Sequence, residues 1–269
     1  PITLLGRTPF MLVGDGVISL EPPPGPVPLG DIVAAISDRT PVGSYDTSEL
    51  TAEVRGFAIG SQMTARNAIQ ILRQGFGFDA VESDDAAKFH TRGGASIATI
   101  PDEDLEAHEY GSEPPDPLTT KRTQEAELPR TVTVTYIDQD LDYQTGAQHS
   151  PRQVTLSAAD VSVELPIVMT ASEALQRAWI LQMGEWIERE QFEWSLGRKW
   201  ARLEPCDIVT VRGRVIRITN RVETPSGVIK FSGVLSAPSI YTQPTYGTDT
   251  PGGEGTSGQP PAPGPSVAT

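Results

Sequence analysis

The chain has very few residues of the kinds that bind metals or form disulfides. It contains one cysteine, Cys206, and three histidines, His90, His108 and His149, in 269 residues. A single cysteine excludes an internal disulfide framework and any multi-cysteine metal site built by this chain alone. The histidines lie far apart and show no HExxH or other ligand spacing. The sequence therefore predicts no metal site, and we expect a buried thiol and ordinary surface or half-buried histidines.

Several longer patterns are also missing. No stretch of 18 apolar residues occurs, so we expect no stable membrane insertion. The first seven residues lack the basic-then-apolar plan of a signal peptide; Pro1 follows a removed methionine or marks a cut from a longer chain. No P-loop, GxGxxG or GxSxG motif occurs. We therefore predict no cofactor-binding and no catalytic residues.

Acidic residues are abundant. The formal net charge is −14, which disfavours stable binding to nucleic acid by the chain as a whole. The alternating carboxylates of Asp138-Gln139-Asp140-Leu141-Asp142 are typical of a calcium loop. An EF-hand, however, needs glycine at its sixth position and glutamate at its twelfth, where this chain has Tyr143 and His149. We expect a solvated turn there. No two carboxylates stand out as a glycosidase pair, although their number alone does not exclude one.

The stretch from Asp160 to Leu235 contains the clearest periodicity. A strand alternates over 161–165, and Thr170-Ala171-Ser172-Glu173 matches a capping box that opens an amphipathic helix over 171–192. Short β segments follow, with glycine turns at Arg212-Gly213-Arg214 and at 224–227. This pattern predicts a helix over a small antiparallel sheet or barrel.

Other segments add smaller elements. The sequence predicts helices at Leu29–Asp38 and after Thr64, a hairpin turning at 83–85, and an alternating strand at 131–137. The fold class is therefore α+β and β-rich, with small β-barrel domains and α/β modules packed outside. We expect an N-terminal connector with a short helix (1–52), an α/β module (53–117), a β-rich domain (118–236) and a Pro/Gly-rich linker (237–269).

Four tryptophans lie near the predicted helix and strands. Trp179 and Trp186 occupy its apolar stripe, and we expect them to be core residues. Trp194 and Trp200 follow the helix, and for these two a stacking surface for a glycan or a partner is the alternative to a place in the core.

A group of arginines forms the one basic cluster. Arg212, Arg214, Arg217 and Arg221 lie near the predicted hairpin, with Ile216 and Ile218 on either side of Arg217. Alternation favours the wet face of a sheet. A contact with phosphate or lipid A through Arg212, Arg214 and Arg217 is the alternative.

Three blocks of sequence stand out together: Leu128–Asp138 with Asp142-Tyr143, Ala65–Ala68 with Gly77–Ser83, and Leu203–Val209. These blocks resemble a family of phage tail proteins, the host-specificity or "megatron" proteins of gene transfer agents and related siphophages. Their order and approximate spacing match, and together they cover roughly residues 29–236.

The resemblance implies a structural subunit of the virion tail tip. It implies a baseplate hub similar to the T4-type hub, in which β-barrel domains of three subunits form a ring that continues the tail tube. Implied partners are copies of the chain itself, the distal tail protein and other tail-tip subunits, the tape measure protein, fibres, and DNA in transit. Two features depart from the family: the chain has no room for its upstream glycoside-hydrolase-like barrel, and Cys206 stands where glycine is usual.

We therefore favour a homotrimeric hub subunit without an enzymatic step. An acidic wall would let DNA slide through such a ring, since like charges repel. A tail-associated peptidoglycan hydrolase using paired carboxylates is one alternative. A carbohydrate-binding module using Trp194 and Trp200 is another.

Overall fold

The computed structural model describes residues 25–40 and 43–241, together with the backbone of residues 3–5. Most of the predicted connector over residues 1–28 lies outside this described part. The predicted linker over 237–269 is described only as far as Tyr241, where a short 3₁₀ turn (Pro238–Ile240) ends.

Strands dominate the described part of the chain, which is α+β and β-rich as predicted. Its helices are α1 (Leu29–Ser37), α2 (Ala65–Phe76) and α3 (Ala171–Glu188). Its strands are β1 (Thr3–Leu5), β2 (Val27–Pro28), β3 (Tyr45–Asp46), β4 (Glu53–Val54), β5 (Phe57–Ile59), β6 (Phe78–Ser83), β7 (Ala86–Thr91), β8 (Ala98–Ile100), β9 (Thr119–Arg122), β10 (Thr131–Asp138), β11 (Thr145–His149), β12 (Asp160–Met169), β13 (Glu190–Leu196), β14 (Ile208–Val211), β15 (Arg214–Glu223) and β16 (Ile229–Leu235).

Two larger sheets carry the architecture. The first has the order β1-β5-β12-β10-β11, and the second has the order β8-β14-β15-β16-β13-β9. The centre of the first sheet is a parallel pair, β10 with β12, whereas the second sheet is antiparallel except where β8 joins β14. Strands β3, β7 and β6 form a small sheet of their own. Closure of either larger sheet into a barrel stays a prediction.

Local signals in the sequence explain where the helices begin. The Thr64 hydroxyl accepts the Asn67 amide, and Thr170 forms the complete capping box with Glu173. Helix α2 ends at Gly77, whose φ of +66° is the left-handed conformation that glycine favours. The predicted starts of α2 after Thr64 and of α3 at the Thr170 capping box are confirmed.

The end of α3 was predicted four residues too late. The helix ends at Glu188 rather than at residue 192, because Glu190–Leu196 pairs with both β16 and β9. Apolar Phe192 and Trp194 fit a strand as well as a helix, and tertiary pairing decided between them.

Helix α3 covers a different sheet from the one expected. Its small residues Ala174 and Ala178 are fully buried in the core of the first sheet, together with Val134 and Leu165. The sequence indicated a helix lying on the antiparallel strands that follow it. That expectation is wrong because β12, which precedes α3, forms the first sheet with β10, so α3 folds back onto its own sheet.

The molecule has two hydrophobic cores. The first contains α1, α2 and the first sheet, with Phe57, Phe78 and Tyr136 among its largest side chains. The second is formed by the six-stranded sheet, with Phe192 and Phe231 at its centre. Each core draws on segments on both sides of residue 118, and the predicted division into units at 52/53, 117/118 and 236/237 stays a prediction. No described helix combines the length and apolar character needed to cross a membrane.

Candidate functional site: a buried charge cluster between the two cores

Five separate segments bring charged side chains together where the two cores meet. Arg73 comes from α2, Asp79 from the start of β6, and Arg92 from the end of β7. Glu188 is the last residue of α3, and Arg217 lies in β15 of the second sheet. We call these five residues the charge cluster.

Asp79 is the centre of the charge cluster. Arg92 donates to both carboxylate oxygens, with distances of 2.8 Å from Nε to Oδ2 and 2.8 Å from Nη2 to Oδ1. Arg217 Nη1 donates to Oδ2 at 2.8 Å, and Arg73 Nε donates to Oδ1 at 2.9 Å. Asp79 is only 4% exposed. Its acceptor capacity is therefore filled from three different elements.

Glu188 is the second carboxylate of the charge cluster and lies on the far side of Arg217. Its Oε1 accepts from Arg217 Nη2 at 2.6 Å and lies 3.6 Å from Arg92 Nη1. Arg217 is 7% exposed and is held by two carboxylates on different elements. Since buried charges are tolerated only when paired and hydrogen-bonded, this pairing is what allows a guanidinium inside the sheet.

The surroundings change the acidity of Asp79. Burial alone would raise the pKa of its carboxyl, but the Arg92 hydrogen bonds and the charges of Arg92, Arg217 and Arg73 outweigh burial and lower the pKa to about 2. Burial opposes the protonated form of Arg92, yet its bonds to Asp79 raise the pKa of Arg92. Both groups are charged at neutral pH, so the charge cluster acts as a fixed clamp.

Tyr241 closes the charge cluster from the C-terminal side. A Cβ added at Gly93, whose φ is +84°, would lie 2.6 Å from Tyr241 Cδ2. Glycine is therefore required there for two reasons, the left-handed backbone and the close approach of the ring. The chain leaves toward residue 242 from this point of contact.

Cys206 occupies a glycine-type conformation beside the charge cluster. Its φ is +79°, and its amide donates to the Ile218 carbonyl at 2.8 Å. Burial and then the negative charge of Asp79 raise the pKa of the thiol to about 11, so the thiol stays protonated at neutral pH. Cys206 thus adopts a left-handed conformation that is strained for a residue other than glycine.

The two tryptophans predicted as a contact surface are buried. Trp194 is 3% exposed and stacks on Phe231 with ring centroids 5.7 Å apart. Trp200 is 8% exposed, and its indole nitrogen donates to Asp104 Oδ2 at 3.0 Å. A glycan platform needs an open ring face, which neither residue offers here. Trp179 and Trp186, predicted to be core, are instead half-buried.

The predicted basic patch is divided. Arg212 and Arg214 are exposed and pair with Asp102 and Glu190, respectively. Arg217 is directed inward to the charge cluster. The three arginines thus do not form one surface, because β15 turns Arg217 toward the first core. Their contact with an anionic ligand stays a prediction.

The acidic turn after β10 is built around a buried carboxylate. Asp138 is fully buried and accepts the Tyr136 hydroxyl at 2.9 Å and the Asp140 amide at 2.9 Å. It therefore fixes the turn from inside, whereas Gln139, Asp140 and Asp142 are exposed, as expected for a solvated turn. Among the described residues, no group of three or more His, Cys, Asp or Glu side chains is arranged to hold a metal ion.

Sequence patterns point to only one member of the charge cluster, Asp79, and only indirectly. Asp79 lies inside one of the blocks that resemble the tail family, but nothing in its neighbourhood shows that it is buried. Arg92 and Glu188 carried no signal at all. Long-range pairing of this kind, 138 residues apart for Asp79 and Arg217, is invisible to local patterns.

Comparison with known proteins identifies the family. The model of the family described as "Putative phage tail protein" matches residues 64–221, more than half of the chain. The chain belongs to this family. It is a virion tail protein, as the resemblance implied, and no curated protein matches it significantly.

Solved structures share the fold of this tail protein. A chain from the virion of a native gene transfer agent particle matches with a TM-score of 0.73 and 24% identity, covering 84% of this chain and 51% of that chain. The tail protein from Neisseria meningitidis MC58 matches with a TM-score of 0.55 and 12% identity, covering 81% of this chain and 69% of its own. Our chain thus spans about half the length of the gene transfer agent chain.

Proposed function

We propose that this tail protein is a structural subunit of the tail tip. In this role it is a baseplate hub that joins the tail tube to distal or fibre components, assembles as a homotrimer and performs no enzymatic step. Its partners are copies of itself, the distal tail protein, other tail-tip subunits, the tape measure protein and fibres. DNA is a passenger through the ring.

The observation that carries this proposal is the extent of the family match. Residues 64–221 include strands of both larger sheets, helices α2 and α3, and four of the five charge-cluster segments in full. The fifth, β15, is included as far as Arg221, beyond Arg217. The match therefore spans segments of both cores and of the charge cluster between them, which supports a structural role.

The edges of the larger sheets supply candidate contacts between copies. Strand β11 ends the first sheet and β9 ends the second in the described part of the chain. The side chains of β9 are half-exposed or exposed, including Lys121 and Arg122. Closed symmetric assembly is one way to protect such edges from open-ended pairing.

The negative charge of the chain supports a role in DNA passage. A net charge of −14 gives a ring of three copies a strongly acidic character. An acidic lumen repels phosphates and prevents DNA from sticking during ejection. Mapping the charge on the assembled ring tests this part, and a lumen lined mainly by lysine and arginine would refute it.

The experiment that tests the proposal is electron microscopy of the particle and of the purified protein. We expect three copies around the axis at the tail tip. A monomer located elsewhere in the virion would overturn the proposal. Peptidoglycan cleavage by the purified chain would replace it with the hydrolase alternative, and glycan binding by monomers, lost in Trp200→Ala, would replace it with the carbohydrate-binding alternative.

A further inference from the structure

A small cavity lies near the N-terminal end of α3, whereas the charge cluster meets α3 at its C-terminal end, at Glu188. Its volume is about 130 Å³, and its walls come from the end of α2, the first two turns of α3, β4 and β12. Val54, Phe76 and Met169 provide apolar surface, and Arg177 is one of its charged residues. This volume is well below the roughly 300–1,000 Å³ of sites for drug-sized ligands. The space therefore suits one side chain.

Arg177 is a partly buried residue at this cavity, and one of its hydrogen-bond donors, Nε, is fully buried. Its Nε has no partner within the described part of the chain. The guanidinium lies over the Phe76 ring, 5.0 Å from the centroid, and burial lowers the pKa of Arg177. A cation–π contact compensates only part of the cost of burying an arginine charge. Its hydrogen-bonding requirement is unmet.

The carboxylate nearest to Arg177 in sequence is already engaged. Glu173 Oε2 accepts the Thr170 amide at 2.9 Å as part of the capping box, and it also pairs with Arg55. The Arg55–Glu173 pair is neutral as a unit. Glu53, the other acidic residue of the cavity wall, is exposed to solvent. The buried positive charge of Arg177 is therefore not balanced by a dedicated partner.

We propose that this cavity receives the carboxylate of a glutamate or aspartate side chain from a partner protein. The carboxylate would accept from Arg177, and its methylene groups would pack on Phe76, Val54 and Met169. Charge complementarity selects an anion, and the cavity volume selects a side chain over an oligosaccharide or a nucleotide. A divalent phosphate is disfavoured because Glu53 and Glu173 also line the wall. That the partner is another tail subunit rests on the proposed function; the carboxylate specificity does not.

The test uses the Arg177 Nε–H signal in NMR spectra of the purified full chain. The probes are N-acetyl-glutamate methylamide and its glutamine analogue. We expect a saturable shift of the Arg177 signal with the glutamate probe and an affinity at least tenfold weaker for the glutamine probe. In Arg177→Met, the shift of the Phe76 amide with the glutamate probe should disappear.

A matched control is Arg130→Met. Arg130 is a half-buried arginine that pairs with Asp160 away from the cavity, so its loss should leave probe binding unchanged. Equal responses to the glutamate and glutamine probes would overturn the proposal. A response to inorganic phosphate as strong as that to the glutamate probe would also overturn it, in favour of a free-anion site.

The oligomeric state, measured on the same sample, separates the two proposals. A trimer that ignores the glutamate probe refutes the cavity proposal and leaves the hub proposal standing. A monomer that binds the glutamate probe with the expected selectivity supports the cavity proposal and refutes the hub proposal.

Discussion

Two arginines of this protein differ in how their buried nitrogen atoms are hydrogen-bonded. Arg217, in β15, is held by Asp79 and Glu188 at 2.8 and 2.6 Å. Arg177, in α3, has a buried Nε without an acceptor in the described part of the chain. The first charge is neutralised by the fold itself, whereas the second is left with an aromatic ring and an open cavity.

The difference separates a side chain that is hydrogen-bonded within the fold from one whose buried Nε lacks an acceptor. A saturated cluster holds two cores in one geometry and has nothing left to offer a ligand. A buried donor without an acceptor carries a free-energy penalty, and a suitable acceptor would remove it. We therefore assign stability to the charge cluster around Arg217 and recognition to the cavity at Arg177.

The largest effect is expected from Asp79→Asn. Removing one carboxylate leaves three buried or half-buried arginines with Glu188 alone, and breaking a buried pair in this way costs about 3–5 kcal/mol of unfolding free energy. Urea denaturation measures the change. Asp84→Asn is the control, because its ion pair with Lys88 is surface-exposed, and we expect no measurable change. A loss below about 1 kcal/mol for Asp79→Asn would contradict the clamp role.

The direct comparison is Arg217→Met against Arg177→Met. The first substitution leaves Asp79 and Glu188 short of a donor and should cost about 3 kcal/mol. The second removes an unpartnered guanidinium and loses only the ring contact, so the unfolding free energy should change by less than about 1 kcal/mol. Thermal and urea unfolding of both variants provide the measurement. Equal losses would remove the distinction between the two sites.

Acid should weaken the clamp selectively. The pKa of Asp79 is lowered in the folded state to about 2 from an ordinary value of 3.8, so its contribution is present above pH 4 and is lost as pH falls toward 2. The shift corresponds to about 2 kcal/mol. Between pH 5 and pH 2, the unfolding free energy of the native chain should fall by about 2 kcal/mol more than the unfolding free energy of Asp79→Asn. Parallel pH profiles for the two proteins would contradict this prediction.

Cys206→Gly should produce the smallest effect, and a gain. At a φ of +79°, glycine relieves backbone strain, and the net gain after the entropy of the unfolded chain is about 1 kcal/mol. Cys206→Ala keeps the Cβ and should give no such gain. Thermal unfolding compares the two variants. A gain for alanine equal to that for glycine would show that the thiol, rather than the backbone, is unfavourable there.

Much of the local structure follows from short patterns. The caps at Thr64 and Thr170 were predicted correctly, as were the hairpin turn at Asp84-Asp85 and the alternation of β10. Each depends on residues within about four positions of one another, where backbone sterics and side-chain hydrogen bonds decide the conformation.

Burial was predicted less well. Trp194 is buried, whereas Trp186 on the apolar stripe of α3 is half-buried, since its indole nitrogen donates to the Pro129 carbonyl at 2.9 Å at the edge of the core. The sequence also gave no reason to separate Arg217 from Arg212 and Arg214. Which face of a strand is buried depends on the elements that pack against it, and the strand's own sequence does not specify them.

The sequence by itself determined the family, the β-rich class and the starts of α2 and α3, because these are encoded by residues close together in the chain or by recurring blocks. Only the tertiary structure decided which charges are neutralised, because Asp79 meets Arg217 across 138 residues, and the Nε of Arg177 meets no acceptor in the described part of the chain although Glu173 is four residues away. The physical reason is that the cost of a buried charge depends on its neighbours in space.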